Sequence, residues 1–509
     1  MNPVQSAASS SFHHAGAASA PAEKPSKYIF VSGVMKKNPA YENFQNQTHQ
    51  PVSTVARPDL ALAIISSTDD VFDASAVQAA HTSQEMKLSE STEASIEIMQ
   101  DPEYLEKFNV KGLDGGDLLD RLTNYFVRHE VPLGMVNKLL ALSEYKLKFI
   151  VDDSGSMNDH SDVRNAQGHM MTRWQEAEQR LMKMTEILAF IPSDELSVSF
   201  LNRPDEIRLS HTGKTPEQFM REAHTALSSA FRTYPRGTTP SAEKLQQAFQ
   251  GSSGQNAFYF LTDGVPNSGP GPVEQLILNR RDPQQNPFTF LSCTNQDEDA
   301  NWMKEIEERA PFTAELDDFA AEKREVLKDQ GPALPYSEGM WLVSNLCAAI
   351  FPHDLDAMDE SVPFTKQTLQ NMLGTELTPE SYAHYFQHHK ARWGASYREF
   401  CTAPLAIDIA AVRSHKESLA QGNQPSPQTY GHAVHGGQST YQQMQSFGAH
   451  SAHASQPAYP ARPPAYAPGY AGQQPAYPDP YQGRSAHGNS GQSANSSALD
   501  KMISKFKRF

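Results

Sequence analysis

The sequence predicts an α/β fold, a doubly wound and mainly parallel sheet of six strands, flanked by helical extensions and disordered tails. Three observations point there. From Tyr145 onward, short apolar runs alternate with longer amphipathic ones, as strand–helix units of a parallel sheet do. Two of the apolar runs, Phe149-Ile150-Val151 and Phe258-Tyr259-Phe260-Leu261-Thr262, lead directly into an aspartate, Asp152 and Asp263. Between them, Ala177, Leu181, Met184, Leu188 and Ile191 recur at spacings of three and four, which makes one apolar stripe to lay on a sheet.

Taken in order, residues 1–85 open with an Ala- and Ser-rich stretch and are expected to be largely disordered. Residues 86–144 form a helical extension. Its marks are the stripe Leu118, Leu119, Leu122, Tyr125 and Phe126 and, after the turn Pro132-Leu133-Gly134, the start of a second stripe at Val136, Leu139 and Leu140. The α/β domain covers 145–335, with strands at 145–151, 196–201, 207–210, 257–262, 288–293 and 312–316. Its helices follow the metal-ready loop at 152–157, start at Pro216, where a missing N–H costs nothing, run up to Phe249, and lie near 272–281 and 298–309. A C-terminal helical extension, 336–400, has apolar helical stretches at 340–350, 365–373 and 379–389. The tail, 401–498, is rich in Pro, Gln, Tyr and Gly, and residues 421–498 hold no Leu, Ile, Trp, Lys or Glu, so they have too little apolar surface to offset the entropy of ordering. Residues 499–509 end the chain as a short basic amphipathic segment.

Composition narrows the functions. A net charge of -16 argues against generic nucleic-acid binding, which needs a basic surface, and suits a cation site. The three cysteines, Cys293, Cys347 and Cys401, are too far apart for a short-spaced zinc motif or a dense disulfide framework, so a reducing compartment is the default. No apolar run approaches the roughly 20 residues that span a bilayer, and the polar N-terminus has no hydrophobic signal core. A cytoplasmic location is expected, with secretion into a host cell without a classical signal peptide as the alternative.

The chemistry lies in the loops that follow the strands. Asp152, Ser154 and Ser156 alternate on one tight loop, Gly237-Thr238-Thr239-Pro240 offers a hydroxyl ahead of a helix, and Asp263 ends a second strand. Such hard oxygen donors suit a small divalent cation, bound in near-octahedral geometry at about 2.1 Å for magnesium. Manganese suits the same donors. The competing reading is an ordinary turn whose Asp and Ser side chains cap backbone groups.

Together these segments resemble the metal-ion-dependent adhesion site (MIDAS) of the von Willebrand factor A (VWA) domain, a Rossmann-like fold. Asp152, Ser154 and Ser156 match its Asp-x-Ser-x-Ser, and Asp263 its later strand-end aspartate. Thr239 matches its threonine, with Thr238 as the alternative, while Asp153 falls at a variable position. Around 110–375 the chain is similar to uncharacterised intracellular VWA proteins of microbes and fungi. The resemblance implies that Ser154, Ser156 and the threonine bind Mg2+ or Mn2+ directly, with Asp152 and Asp263 acting through water or as acceptors behind them. It further implies that the ion takes an Asp or Glu of a partner protein. Residues 158–171, with Asp159 and His160, are then expected to form a partner-binding rim; a solvated loop without a role is the competing reading.

No enzyme is expected. Residues 153–157 do not spell the Gly-x-Ser-x-Gly of a hydrolase, residues 152–154 do not spell Asp-x-Asp, and there is no phosphate-cradling Gly-x-x-x-x-Gly-Lys loop. His384 and His388 share a helix face but have no acidic residue between them, which favours a surface pair over a metal site. In the tail, Pro463, Pro464 and Tyr466 match a Pro-Pro-x-Tyr ligand of WW domains, with chance in low-complexity sequence as the competing reading. The segment 499–509 could touch an acidic membrane, dock on a partner or direct secretion. Two alternative functions follow: a secreted bacterial effector that recruits host proteins through the domain and tail, and an adaptor subunit of an ATPase or ubiquitin-ligase assembly.

Overall fold

The computed structural model describes residues 25–48 and 87–389, apart from positions 32, 166, 295, 353 and 360–362, together with 400–401. The expectations for the tail, including Pro463, Pro464, Tyr466 and the segment 499–509, lie outside the described residues.

Chain order begins with a hairpin of β1 (Tyr28–Val31) and β2 (Val34–Lys37), followed by α1 (Pro39–Thr48). This corrects the expectation of disorder for that part of 1–85. The cause is a long-range clamp that local sequence does not report: the buried Asn137 side chain accepts from the Met35 amide at 2.8 Å and donates to the Met35 carbonyl at 3.1 Å. Then come α2 (Glu90–Met99), α3 (Pro102–Glu106), α4 (Gly115–His129) and α5 (Met135–Leu140). The expected stripe on α4 holds, with Leu118, Leu122, Tyr125 and Phe126 buried.

The sheet comprises β3 (Lys146–Val151), β6 (Leu196–Phe200), β7 (Glu206–Leu209), β8 (Asn256–Thr262), β9 (Phe288–Ser292) and β10 (Thr313–Leu316). Its spatial order is β10-β9-β8-β3-β6-β7, and only the edge pair β6–β7 is antiparallel. Strand order therefore reverses between β3 and β8, which makes a doubly wound, VWA-like α/β sheet with its crevice outside the carboxyl ends of those two strands.

Alternation along the strands sorts side chains into two layers. On β8, Phe258 and Phe260 face one core with Val273 and Ile277 of α9 (Pro270–Leu278) and Met303 and Ile306 of α10 (Asp297–Glu307). Ala257, Tyr259 and Leu261 face the other, with Leu181 and Leu188 of α6 (Arg173–Leu188) and Phe219 and Leu227 of α7 (Pro216–Phe231). Thr172 caps α6, and its capping box with Gln175 fixes where Arg173 begins the helix. Between β3 and α6 the chain forms a second hairpin, β4 (His160–Arg164) and β5 (Met170–Thr172), where a loop was expected. The Asn165 side chain turns it by accepting from the amides of Gln167 and His169, each at 3.0 Å.

Helix α8 (Ser241–Gln250) follows the Gly-Thr-Thr-Pro turn. Helix α11 (Phe319–Asp329), which sequence reading did not anticipate, is started by Asp318, whose carboxylate accepts from the amides of Ala320 and Ala321. Helices α12 (Glu338–Cys347), α13 (Lys366–Leu373) and α14 (Pro379–His388) complete the described chain. Residues of α12, α13 and α14 share one hydrophobic core with the sheet face and with α4 and α5. At one crossing, a Cβ on Gly134 would lie 1.9 Å from the Asn371 carbonyl oxygen, so only glycine lets the chain ahead of α5 meet the end of α13.

Candidate functional site

In-register pairing of β3 with β8 places Val151 opposite Leu261, and the Asp152 amide then donates to the Leu261 carbonyl at 2.8 Å. Asp152 is fully buried and both of its carboxylate oxygens are engaged. Oδ1 accepts from the Ser154 amide at 2.9 Å, and Oδ2 accepts from the Thr262 hydroxyl at 2.8 Å. Burial, and then the neighbouring Asp263 charge, push its pKa up to about 6. Asp152 thus shapes the loop from behind.

The next three oxygens form a chain. Ser154 Oγ lies 3.1 Å from Ser156 Oγ, and the Ser156 hydroxyl donates to Asp263 Oδ1 at 3.0 Å. Ser154 and Asp263 are buried while Ser156 is exposed, so the cluster opens to solvent at Ser156. Thr239 is buried and Thr238 exposed. Its amide donates to Asn267 Oδ1 and its carbonyl accepts from the Asn267 amide, both at 3.1 Å. The loop holding it meets the serine loop where the Gly155 amide donates to the Gly237 carbonyl at 3.2 Å. No hydrogen bond joins the Thr239 hydroxyl to Ser154, Ser156 or Asp263 among the described residues.

Two residues to which sequence reading gave no bond complete the site. The Arg173 guanidinium donates to Asp263 Oδ2 at 2.8 Å and to the Thr294 hydroxyl at 3.2 Å, with both members of the ion pair buried. Burial nevertheless keeps the Asp263 carboxyl above the ordinary carboxylate range, with the arginine opposing it. Asp153, given no role in advance, is a hub. Its Oδ1 accepts from the Asn202 amide at 2.8 Å, its Oδ2 from Arg203 Nε at 3.0 Å, and its carbonyl from the Arg236 amide at 2.7 Å. No spacing rule announces either contact, because each joins residues far apart in sequence.

Gly237 is held between these groups at φ 108°, and a Cβ there would lie 2.7 Å from Asn202 Oδ1. Asp159 and His160 are both exposed, and the Asp159 carbonyl accepts from the Arg173 amide at 2.9 Å, so the base of the β4–β5 hairpin adjoins the site. His384 and His388 are exposed on α14, away from these residues in sequence, and the His388 ring contacts the His384 carbonyl at 2.7 Å.

The donor set can be tested against a divalent cation. Neighbouring ligands around an octahedral ion at about 2.1 Å stand about 3.0 Å apart. The two oxygen–oxygen spacings, 3.1 and 3.0 Å, match that edge, so Ser154, Ser156 and Asp263 could exchange their hydrogen bonds for an ion without moving apart. Among the described residues no group of three His, Cys, Asp or Glu side chains could hold a metal; this cluster depends on hydroxyls.

No protein-family model matches the sequence, and no curated protein does. Among solved structures, the chain is similar to the manganese-loaded TRAP protein of Plasmodium vivax, with 17% identity and a TM-score of 0.24 over 36% of this chain and 71% of that one. It is also similar to an aerotolerance-related membrane protein from Bacteroides fragilis, with 15% identity and a TM-score of 0.21 over 29% of this chain and 67% of that one. Among the described residues no helix is long and apolar enough to cross a membrane.

Proposed function

We propose that this chain is a metal-dependent protein-binding module whose site holds Mg2+ or Mn2+ and recognises an Asp or Glu of a partner protein. The oxygen chain Ser154–Ser156–Asp263, with its 3.1 and 3.0 Å spacings at the switch point of the sheet, carries the reading. Ser154 and Ser156 would ligate the ion, with Thr239 approaching from the neighbouring loop and Asp152 orienting the serine loop. A cation held largely by neutral hydroxyls retains most of its charge and attracts an external carboxylate. Arg173 strengthens that demand, because it cancels one of the two carboxylate charges and leaves the loaded site net positive.

In this reading the chain binds rather than catalyses and works in the cytoplasm, where its free cysteines, Cys293 and Cys347 buried and Cys401 partly so, stay reduced. Thermal unfolding of the full chain in Mg2+, Mn2+ or EDTA tests it, with an Asp152→Ala, Ser154→Ala double variant as control. A metal-dependent rise in melting temperature in the unsubstituted chain alone is expected. An equal rise in both, or none in either, overturns the metal site.

A further inference from the structure

Beside the serine loop, the segment 232–236 combines a fixed backbone with uncommitted side chains. Its backbone is pinned where the Arg236 amide donates to the Asp153 carbonyl at 2.7 Å and the Asn158 side chain donates to the Pro235 carbonyl at 2.8 Å. Pro235 is buried, whereas Tyr234 is 76% exposed. Among the described residues, neither the Tyr234 ring nor the Arg236 guanidinium has a partner. Arg173 is committed to Asp263 and Arg203 to Asp153, while Arg232, at the start of the segment, is exposed and lies within the electrostatic reach of Glu178. Large exposed apolar side chains are few among the described residues, yet Met170, Tyr234 and Val265 all lie on segments that adjoin the site.

Folding gains little from an aromatic ring left in water beside a free arginine, whereas binding gains much. Tyrosine and arginine dominate interface hot spots, and a guanidinium matches a carboxylate with two parallel hydrogen bonds. A backbone that is already fixed loses little entropy on docking. On a chain of net charge -16, an exposed arginine without an ion-pair partner beside the site offers an acidic partner a local positive contact.

We propose that segment 232–236 is a second contact arm, reading an extended, doubly acidic segment of the partner protein: Arg236 takes a second carboxylate, and the Tyr234 ring takes an apolar side chain beside it. This rests on the metal-site reading for the first carboxylate.

The test presents the full chain with a displayed library of short peptides, each with one fixed aspartate and the other positions varied, in Mg2+ and in EDTA. Tyr234→Ala and Arg236→Glu are compared with the unsubstituted chain, and their melting curves confirm that they fold. Selection in Mg2+ for a second acidic residue and an apolar neighbour is expected. Arg236→Glu should turn the acidic preference basic, Tyr234→Ala should erase the apolar one, and each should weaken the best peptide about tenfold. Mg2+-dependent selection with the same pattern in all three proteins overturns the arm and leaves the metal site standing. EDTA-indifferent selection that both variants lose supports the arm and overturns the metal site. No selection by the unsubstituted chain overturns both.

Discussion

Arg173 lies 2.8 Å from Asp263 Oδ2, with side-chain exposures of 6% and 0%, so a tethered cation already occupies one side of the carboxylate that closes the candidate site. Asp263 divides its two oxygens between that arginine and Ser156. Any ion arriving at the hydroxyls meets a carboxylate whose charge is already half spoken for.

Arg173→Met should therefore leave Asp263 buried and unpaired, costing about 3 kcal/mol in EDTA. Saturating Mg2+ should recover more stability in this variant than in the unsubstituted chain, since the ion then supplies the missing charge. Urea unfolding with and without Mg2+ measures both; an unchanged metal increment would separate Arg173 from the site.

Burial raises the Asp152 pKa from the ordinary 3.8 to about 6, so the folded state binds the extra proton between those values. Stability in EDTA should consequently fall as pH rises from about 4 to about 6, by up to about 3 kcal/mol from this group. Asp152→Asn keeps an acceptor for the Ser154 amide and cannot ionise. The variant should gain on the unsubstituted chain across that window in EDTA and should lose the Mg2+ increment above it. Paired unfolding curves at several pH values decide, and parallel pH profiles would sink the assignment.

Asp153→Ala removes the acceptor shared by Asn202 and Arg203 and leaves a largely buried guanidinium without its counter-charge, though still bonded to the Ala230 carbonyl, at a cost of roughly 3 kcal/mol. Amide hydrogen exchange should quicken at Asn202, whose proton loses its acceptor, and at Arg236, whose carbonyl acceptor loses its anchor. Unchanged exchange at Arg236 would mean that the arm is held without Asp153.

Gly237→Ala places a Cβ 2.7 Å from Asn202 Oδ1 at a φ of 108° that L-residues avoid. A loss of about 2 kcal/mol and of the Mg2+-dependent rise in melting temperature is expected, because Thr239 sits two residues on. A variant that melts and responds to Mg2+ as before would show that the loop is free to rearrange.

What the sequence made legible was periodic or local. The stripe of α6, Pro216 at the start of α7, and two strands that run straight into aspartates placed the sheet and its switch point. What it concealed depends on distance along the chain. Asn137 clamps Met35 across 102 positions, and Arg173 reaches Asp263 across 90. No periodicity encodes such pairs. Helix α11 was readable from its Asp318 cap, but its few core residues, Ala321 and Val326, gave too weak a stripe to notice.

The core that α12 shares with the sheet also bears on how the chain is made. Tyr259, stacked on Phe149 beneath the sheet, donates its hydroxyl to the Leu346 carbonyl, 87 positions downstream, at 2.7 Å. During synthesis all six strands leave the ribosome before that cover does. That face of the sheet, covered early by α6 and α7, thus stays open beside Tyr259 until α12 emerges, an interval in which the nascent chain exposes part of its apolar core.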